Sequence, residues 1–578
     1  MTLRLTLSRY GTAAIQAAIF GLQVSASFTH ANAANVLVDA SIKHQTMDGF
    51  GSSLRVFDDP HVFENFNPAT GRAATVLSEA QKDQVLDRLY LDLGLTRVRP
   101  ASPDTGVGSG IEPANDNNDP NLTDLSRFNF DWKRLDAHVD YMKRARERGA
   151  NTFFLSPLSR ETWMGTSAQS ASDVGEYAEW LLAQVRRSSE RGLELPYVSI
   201  ANEPSYSRNT LSGEFMREVI KNLGPRLRAE GFDTKFVTTD DVRASNGAAK
   251  AQIILADPLA RQYVGALATH LYDEPVSNVG QMTALAQQYD LPLWMTEFTV
   301  GAMGTAGLPK DPFAWANLTH DLISTYDVSA VDYLWGFFGE WEGNQTTLIS
   351  LNNTGPAYDG YTLNKTYYTT GQFSRFIEPG AERISIQADD TSLKATAYLS
   401  ADELVIVAIN TGHASLPLNL DLAGLPMITE FSAVQTSASE NWAALPSVLV
   451  NGSTAATNLA GNSITTFVAS LPFLAGDYNE DRGVDATDLA IWTEGFGVPT
   501  GATHGQGDGD RDGDVDGSDL LVWQRELNIS GTGFANPVPE PSSGFLIGAS
   551  ILWTLSSRGR GRRQIDGSHS IISPSFVS

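Results

Sequence analysis

Short apolar runs alternate with amphipathic segments along residues 47–338. Eight runs have the length and composition of strands: 47–54, 96–100, 152–159, 198–204, 235–241, 266–273, 293–298 and 331–338. Most segments between them place apolar residues at helical spacing, and several end in glycine, a usual helix stop. Eight strand–helix units predict an α/β fold, a parallel sheet closed into a (β/α)8 TIM barrel over residues 48–383. A doubly wound open sheet is the alternative, and the absence of a complete Gly-rich phosphate loop after the first strand counts against it.

The pattern changes after the barrel. Over residues 384–472, apolar and polar positions alternate between Gly, Asn and Ser turns, which predicts a small antiparallel β-sandwich. Such a domain is either a carbohydrate-binding module or a rigid structural flank. Because Trp442 stands nearly alone as a candidate exposed aromatic, the structural interpretation is favoured.

Two glutamates follow apolar strand segments and are the main candidates for chemistry. Glu203 lies in YVSIANEPSY (197–206) and Glu297 in LPLWMTEFTV (291–300). The carboxyl ends of barrel strands converge on one face, so these side chains are expected to share a cleft. Cleaving a glycosidic bond with retention needs two carboxyl groups about 5 to 5.5 Å apart. Glu203 is expected to keep a proton and act as general acid, and Glu297 to stay ionised as the nucleophile, with no cofactor for this step.

Six further side chains are candidate substrate contacts: Asn202, His270, Tyr272, Trp163, Trp335 and Arg99. Asn202 can donate to the sugar 2-hydroxyl, and the Tyr272 hydroxyl can hydrogen-bond the ionised glutamate. His270 either binds the sugar or orients a carboxylate, with a satisfied core histidine as the other interpretation.

Arg99 and the two tryptophans also have competing interpretations. Arg99 ends the second strand and either pairs with Glu203 or Glu297 or forms an ion pair at the bottom or rim of the barrel. Trp163 and Trp335 offer flat apolar faces on which a pyranose ring can stack. Barrel packing is the alternative for both.

Several strings resemble glycoside hydrolase family 30 over residues 36–470: DGFGSS (48–53), SPLSRETWM (156–164), ATHLYD (268–273), WMTE (294–297) and TGQFSRFIEPGAERI (370–384). The resemblance implies that Glu203, within Asn-Glu-Pro after strand four, is the acid/base and that Glu297, after strand seven, is the nucleophile. It also implies that residues 34–47 join the side β-domain.

The same resemblance implies activity on a β-linked polysaccharide, with xylan foremost. An exo-acting β-glucosidase of the glucosylceramidase kind and a β-1,6-glycanase are the enzymatic alternatives. A carbohydrate-binding surface protein without catalysis is the alternative of another class, and retention of both glutamates speaks against it.

Two acidic loops at 477–488 and 508–519 have calcium-loop spacing, and each precedes an apolar helix. Their expected ligands are Asp477, Asn479, Asp481, Gly483, Asp485 and Asp488 in the first loop and Asp508, Asp510, Asp512, Asp514, Asp516 and Asp519 in the second. Oxygen donors at this spacing suit Ca²⁺, so two Ca²⁺ sites are expected. Residues 477–528 resemble a dockerin, which implies a cohesin-like protein partner. Arg482 departs from the usual glycine at loop position six, so the first site is expected to be weaker or strained.

Charge and cysteine content exclude several classes of chemistry. The chain of 578 residues has a formal net charge of −26, which argues against binding of nucleic acid. It contains no cysteine, so disulfides, thiolate metal sites and a cysteine nucleophile are ruled out.

Both ends carry targeting patterns. Arg4 and Arg9 precede an apolar run, and Ala31-Asn32-Ala33 provides small residues for cleavage, so residues 1–33 are predicted to be a secretory signal peptide. After a linker at 529–543, residues 537–563 resemble a PEP-CTERM sorting segment, a transient or processed membrane anchor, and 564–578 form a tail. The expected location is secreted, periplasmic or at the surface of a bacterial cell.

Overall fold

The computed structural model describes residues 33–54, 56–57, 77–102, 111–117, 119–123, 132–164, 171–206, 210–298, 311–339, 347–352, 358–422, 425 and 428–527. The export signal, apart from Ala33, and the linker, sorting segment and tail lie outside the described residues.

The predicted eight-stranded parallel barrel is confirmed. A first strand, β1 (Ala34–Thr46), precedes it. The barrel strands are β2 (Gly49–Leu54), β3 (Arg97–Ser102), β4 (Thr152–Pro157), β5 (Tyr197–Ser199), β6 (Lys235–Asp241), β7 (Val264–His270), β8 (Leu293–Phe298) and β9 (Val328–Tyr333). They pair in chain order, and β9 pairs in parallel with β2 to close the sheet. Three short strands after β9 form a separate sheet: β10 (Phe337–Gly339), β11 (Ile349–Leu351) and β12 (Tyr361–Leu363).

Helices connect the barrel strands: α1 (Glu79–Leu86), α2 (Lys133–Arg146), α3 (Ala171–Glu190), α4 (Gly213–Ala229), α5 (Ala244–Ala256), α6 (Pro258–Arg261), α7 (Val279–Tyr289) and α8 (Pro312–Tyr326). A further helix, α9 (Lys365–Ser374), follows β12 and precedes the side domain. Local sequence explains their starts. The Ser212 side chain accepts from Phe215 N at the start of α4, and Asp311 does the same for Phe313 N at α8, where Pro312 occupies the first turn.

An ion pair lies inside the barrel. Arg97 Nε donates to Asp332 Oδ1 at 2.9 Å, and both side chains are fully buried. The Arg97 guanidinium lies 4.1 Å from the centre of a Trp294 ring, and Trp294 Nε1 donates to Asp48 Oδ2 at 2.8 Å. These contacts connect four different regions of the chain across the barrel interior.

The side domain is β-rich, but its sheet differs from the predicted antiparallel sandwich. Its strands are β13 (Glu382–Ala388), β14 (Leu393–Leu399), β15 (Glu403–Asn410), β16 (Leu416–Asp421), β17 (Glu430–Thr436), β18 (Ala443–Asn451), β19 (Thr454–Leu459) and β20 (Ser463–Ser470). Strand β1 pairs antiparallel with β13 and parallel with β16, which closes one nine-stranded sheet on itself. The alternation of apolar and polar residues predicts strands but not which strand edges pair. The sequence pattern therefore did not predict that the sheet closes.

The side domain packs on α9, within the same compact unit as the barrel. Lys365 Nζ donates to the carbonyl oxygen of Ser437 at 2.9 Å, and Trp442 Nε1 donates to the carbonyl oxygen of Tyr368 at 2.8 Å. A Cβ on Gly371 would lie 2.1 Å from Trp442 Cζ2, so glycine is required for this approach. Trp442 is therefore a packing residue rather than a sugar platform.

A second compact unit begins at Leu474. It contains α10 (Ala486–Gly495), a 3-10 turn (His504–Gln506) and α11 (Gly517–Glu526) around a small apolar core. Trp492 Nε1 donates to Asp516 O at 2.9 Å, and Trp523 Nε1 donates to Asp485 O at 2.7 Å, so each helix binds the loop of the other repeat. Within the described part of the chain, the helices lack the length and apolar content needed to span a bilayer.

Replacing Trp442 with Ala should destabilise the first unit by about 3 kcal/mol, because a large aromatic contact and its hydrogen bond are both lost. Urea unfolding followed by circular dichroism measures the change. Leu449→Ala is the matched control, since Leu449 is 65% exposed and should shift stability by less than about 0.5 kcal/mol. Equal effects of the two substitutions would contradict the packing role of Trp442.

Candidate active site

Glu203 lies in a turn just beyond β5, at the carboxyl end of the barrel. Its backbone has φ 49, in the left-handed region that few residues other than glycine adopt. Two hydrogen bonds hold this turn: Asn202 N donates to Pro157 O, and Glu203 N donates to Asp240 O, both at 2.8 Å. The carboxylate is thereby placed at the barrel mouth with 13% of its side chain exposed.

Glu297 lies within β8 and faces the same site. One oxygen of Glu203, one of Glu297 and a ring nitrogen of His270 all lie within 4.8 Å of one another. The Glu297 side chain is 7% exposed. The structure thus brings together two carboxyl groups that are separated by more than ninety positions in the sequence.

Two donors hold the Glu297 carboxylate. Tyr272 Oη donates to Oε1 at 3.0 Å, and Arg99 NH1 donates to Oε2 at 3.2 Å. Burial raises the pKa of Glu297 and the nearby Glu203 adds to the rise, whereas His270, Arg99 and the Tyr272 hydrogen bond oppose it. Hydrogen bonds to a carboxylate favour its ionised form, so Tyr272 and Arg99 are arranged to stabilise the anion.

His270 bridges Glu203 to a third acid. Its Nδ1 lies 2.9 Å from Glu203 Oε1, and its Nε2 lies 3.1 Å from Asp240 Oδ1. Burial alone would lower the pKa of His270, but Glu297 and the hydrogen bonds to Asp240 and Glu203 raise it to about 10. His270 therefore carries a positive charge at neutral pH and orients a carboxylate, one of its two expected roles.

Asp240 is a central residue that the sequence analysis missed. It is the penultimate residue of β6, with φ 56, and is fully buried. Its carboxylate accepts from Arg99 NH2 at 2.7 Å, from Thr296 Oγ1 at 2.6 Å and from the Ser156 hydroxyl. Burial would raise the pKa of Asp240, but the charges of Arg99 and His270 hold it well below the ordinary value. The consecutive aspartates at the end of KFVTTDD were the available signal.

The cluster combines two cations with three acids. Arg99 forms ion pairs with Asp240 and Glu297, and His270 contacts Asp240 and Glu203. Two ionised carboxyl groups among the three acids therefore balance the charges of Arg99 and His270.

Arg99 lies beneath the glutamates rather than at an exposed rim. Its guanidinium is fully enclosed, and NH2 donates to Asn202 Oδ1 at 2.5 Å. Since the Asn202 oxygen is occupied by Arg99, its amide nitrogen is the group that remains to donate to a ligand. Arg99 thus positions Asn202 and Glu297, and the expected pairing with Glu297 is the one that the structure shows.

The two candidate tryptophans have other contacts. Trp335 is 2% exposed and stacks on Phe338 with ring centres 4.8 Å apart. Trp163 Nε1 donates to the carbonyl oxygen of Glu112 at 2.6 Å, and its ring packs against the large core of the barrel. For Trp335 the structure favours barrel packing over an open stacking platform.

The second unit contains the residues that the sequence predicts to bind calcium. In the second loop, one oxygen each of Asp508, Asp510 and Asp519 lie within 4.8 Å of one another, and so do those of Asp514, Asp516 and Asp519. The twelfth residue folds back on its own loop in both repeats: Asp488 Oδ2 accepts from Asp485 N at 2.9 Å, and Asp519 Oδ2 accepts from Asp516 N at 2.7 Å. The first half of the first loop holds the other candidate ligands, Asp477, Asn479, Asp481 and Gly483. Asp512 lies in the corresponding half of the second loop.

These loops fit a hard divalent cation. Asp508 Oδ1 and Asp514 Oδ1 are buried oxygens without a hydrogen-bond partner, and carboxylate oxygens are the donors that Ca²⁺ prefers. Burial and the neighbouring carboxylates raise the pKa of Asp477 to about 6. At loop position six, Arg482 has φ 71 and Gly513 has φ 89, so Arg482 adopts a conformation that glycine adopts at less cost.

Comparisons with known proteins address the barrel. Residues 63–307 match the model described as the glycosyl hydrolase family 30 TIM-barrel domain. A Caenorhabditis elegans protein that carries a glucosylceramidase name is 25% identical over 423 residues, which are 65% of this chain and 76% of that one. The glucuronoxylanase XynC of Bacillus subtilis is 26% identical over 304 residues, 51% of this chain and 66% of that one. An endo-1,6-β-D-glucanase of Neurospora crassa is 23% identical over 406 residues, 62% and 77% of the two chains.

Solved structures agree on the fold. The catalytic domain of the family 30 xylanase C from Talaromyces cellulolyticus aligns with a TM-score of 0.59 at 24% identity, covering 75% of this chain and 99% of that one. A family 30 subfamily 8 xylanase from Clostridium acetobutylicum aligns with a TM-score of 0.56 at 23% identity, with coverage of 75% and 99%.

The raised pKa of His270 predicts a specific pH dependence of stability. Because the folded state holds this proton more tightly than the unfolded state, the contribution is fully present below about pH 6.5 and is lost as the pH rises toward 10. The free energy of unfolding, measured in urea at pH 7 and pH 9.5, should fall more in the wild type than in His270→Gln. His320→Gln, a substitution of another enclosed histidine on α8, is the matched control and should follow the wild type. An equal fall in the free energy of unfolding of the wild type and His270→Gln would refute the raised pKa of His270.

The barrel topology, the converging carboxyl groups at its mouth and the matched domain model lead to one assignment. Residues 63–307 match the glycosyl hydrolase family 30 TIM-barrel domain, and the chain is an O-glycosyl hydrolase.

Proposed function

We propose that this protein cleaves a β-linked polysaccharide with retention of anomeric configuration, by double displacement. The observation that carries the proposal is the approach of Glu203 and Glu297 oxygens to within 4.8 Å. Inverting enzymes need about 6.5 to 9.5 Å between their carboxyl groups to admit a water, whereas retaining enzymes need about 5 to 5.5 Å.

In the first step Glu203 gives its proton to the glycosidic oxygen while a Glu297 oxygen attacks the anomeric carbon. The bond from the anomeric carbon to the leaving oxygen breaks, and a glycosyl ester of Glu297 forms. Tyr272 and Arg99 hold the attacking carboxylate in place before the step. Asn202 donates from its amide nitrogen to the sugar 2-hydroxyl, a contact that strengthens as the oxocarbenium-like state develops.

In the second step Glu203, now ionised, takes a proton from a water that attacks the anomeric carbon. The ester bond to Glu297 breaks, and both carboxyl groups return to their starting state. His270 stabilises Glu203 while it is ionised, because its charged ring lies 2.9 Å from Oε1.

Xylan is the favoured substrate. The support is the name of the Bacillus subtilis glucuronoxylanase together with the family strings in the sequence. The relatives with glucosylceramidase and endo-1,6-β-glucanase names favour two alternatives, an exo-acting β-glucosidase and a β-1,6-glycanase. A binding protein without catalysis is the alternative of another class.

We further propose that residues 477–528 bind two Ca²⁺ ions and dock a cohesin-like protein partner. The support is the loop spacing and the two unsatisfied carboxylate oxygens of the second loop. Bound Ca²⁺ would neutralise the clustered carboxylates and stabilise this unit. Export to the cell surface or medium, directed by residues 1–33 and 537–563, would bring the enzyme to a polymeric substrate.

Replacing Glu297 with Gln should lower kcat at least about a thousandfold, because an amide cannot form the glycosyl ester. Glu230→Gln, the same change in a surface ion pair with Arg186, is the matched control and should keep wild-type turnover. Hydrolysis of a panel containing glucuronoxylan, β-1,6-glucan and an aryl β-glucoside identifies the substrate. If Glu297→Gln keeps its sugar affinity and the wild type has no turnover on any substrate, the binding alternative holds.

Retention is tested separately by proton NMR of the first-formed sugar during wild-type hydrolysis. The β-anomer should appear first and then mutarotate, since two displacements restore the starting configuration. Initial appearance of the α-anomer would exclude double displacement.

Calcium should order the second unit. Chelation with EDTA should increase hydrogen exchange in peptides covering residues 477–527 of the full chain, because unneutralised carboxylates repel. Re-addition of Ca²⁺ should restore protection, and barrel peptides serve as the internal control. Asp519→Asn should weaken the Ca²⁺ response, while Asp321→Asn in the first unit should not. Identical exchange with and without Ca²⁺ would refute the metal sites.

A further inference from the structure

Asp241, the residue after Asp240, contacts the turn that carries Glu203. Its side chain is fully buried. Oδ1 accepts from Ser205 N at 3.2 Å, and Oδ2 accepts from Ser205 Oγ at 2.7 Å. Asp241 therefore binds both the backbone and the side chain of one residue, two positions beyond the general acid.

The turn needs such support because of its composition. Glu203 has a left-handed backbone, which is strained and persists only where the surroundings hold it. Pro204 has no N–H group, so Ser205 N is the first backbone donor after Glu203. Asp241 occupies that donor on one side of Glu203, while Asp240 O accepts from Glu203 N on the other.

Lys250 on α5 completes this arrangement. Its Nζ donates to Asp241 Oδ2 at 2.9 Å and also to the Ser205 hydroxyl, and 15% of its side chain is exposed. Helix α5 can lie close to β6 because Gly247 has no side chain: a Cβ there would lie 2.8 Å from Thr239 Oγ1. Gly247 and Lys250 are three positions apart and share one helix face, so the close approach brings Lys250 to Asp241.

We propose that Asp241, paired with Lys250, is a positioning residue for the general acid. This inference rests on the proposed function, because it assumes that Glu203 donates the proton to the leaving group. Asp241 has no contact with the reacting atoms. It acts through Ser205 by fixing the turn, so that the Glu203 carboxyl group stays at donating distance and next to its His270 partner.

The role has a chemical signature. A displaced acid slows cleavage only when the leaving group needs a proton in the transition state. Leaving groups of high pKa depend fully on Glu203, whereas an acidic phenol such as 2,4-dinitrophenol departs without a proton. Misplacement of a catalytic group by about 1 Å can reduce a rate by about a hundredfold.

The test compares the wild type with Asp241→Asn on methyl and aryl β-glycosides of the sugar that the wild type hydrolyses. For a methyl or unsubstituted phenyl glycoside, kcat should fall ten- to a hundredfold, with KM changed less than threefold. For the 2,4-dinitrophenyl glycoside, the rate of glycosylation should fall less than threefold. Lys250→Met should show the same pattern with a smaller loss. Asp321→Asn, which removes another Lys–Asp pair at Lys394, is the matched control and should leave all rates unchanged.

Other outcomes separate the possible failures. Equal losses for poor and good leaving groups would mean a general structural defect and overturn the positioning role, as would rates equal to the wild type. A thermal melt of each variant identifies loss of folding, and Ser205→Ala, which removes only the hydroxyl contact, supplies a milder variant if Asp241→Asn does not fold. Failure of the proposed function is recognised independently, because the wild type itself would then lack turnover or Glu297→Gln would retain it.

Discussion

The buried charge of Arg99 is the constraint on which the catalytic end of the barrel depends. A guanidinium enclosed by protein must be compensated by anions and acceptors, because it has no access to water. Asp240, Glu297, Asn202 and the Ser53 hydroxyl provide those acceptors, and they come from four other strand ends. Removing one partner of such a buried pair costs about 3 to 5 kcal/mol, so the network favours a single arrangement of the carboxylates.

The same network sets the protonation states of Asp240 and His270 as well as their positions. Asp240 is held ionised and His270 is held charged, and each stabilises that state in the other. Arg99 also pairs with Glu297, and His270 also contacts Glu203. Glu203 and Glu297 are the same residue type but have different neighbours, because Glu203 contacts His270 whereas Glu297 contacts Arg99 and Tyr272.

The barrel and the side domain form one compact unit with the site at the barrel mouth, whereas the acidic loops belong to a second unit with its own small core. In the first unit, Trp442 and Lys365 join the side domain to α9, so the side domain supports the barrel scaffold. In the second unit, the two reciprocal tryptophan hydrogen bonds connect the repeats. Contacts within each unit therefore stabilise the fold of that unit.

Local sequence determined the strands, the helices between them and the glutamates near the carboxyl ends of the fourth and seventh barrel strands, because hydrophobic periodicity and strand ends are properties of short segments. The tertiary structure decided which buried groups those glutamates meet. Asp240 and Asp241 form part of the site because barrel closure and the bend at the end of β6 bring them to Glu203, and Trp335 is buried with its ring stacked on Phe338. Closure of the side sheet through β1 and β16 was also a tertiary outcome, since pairing between strands hundreds of residues apart leaves no signal in either strand alone.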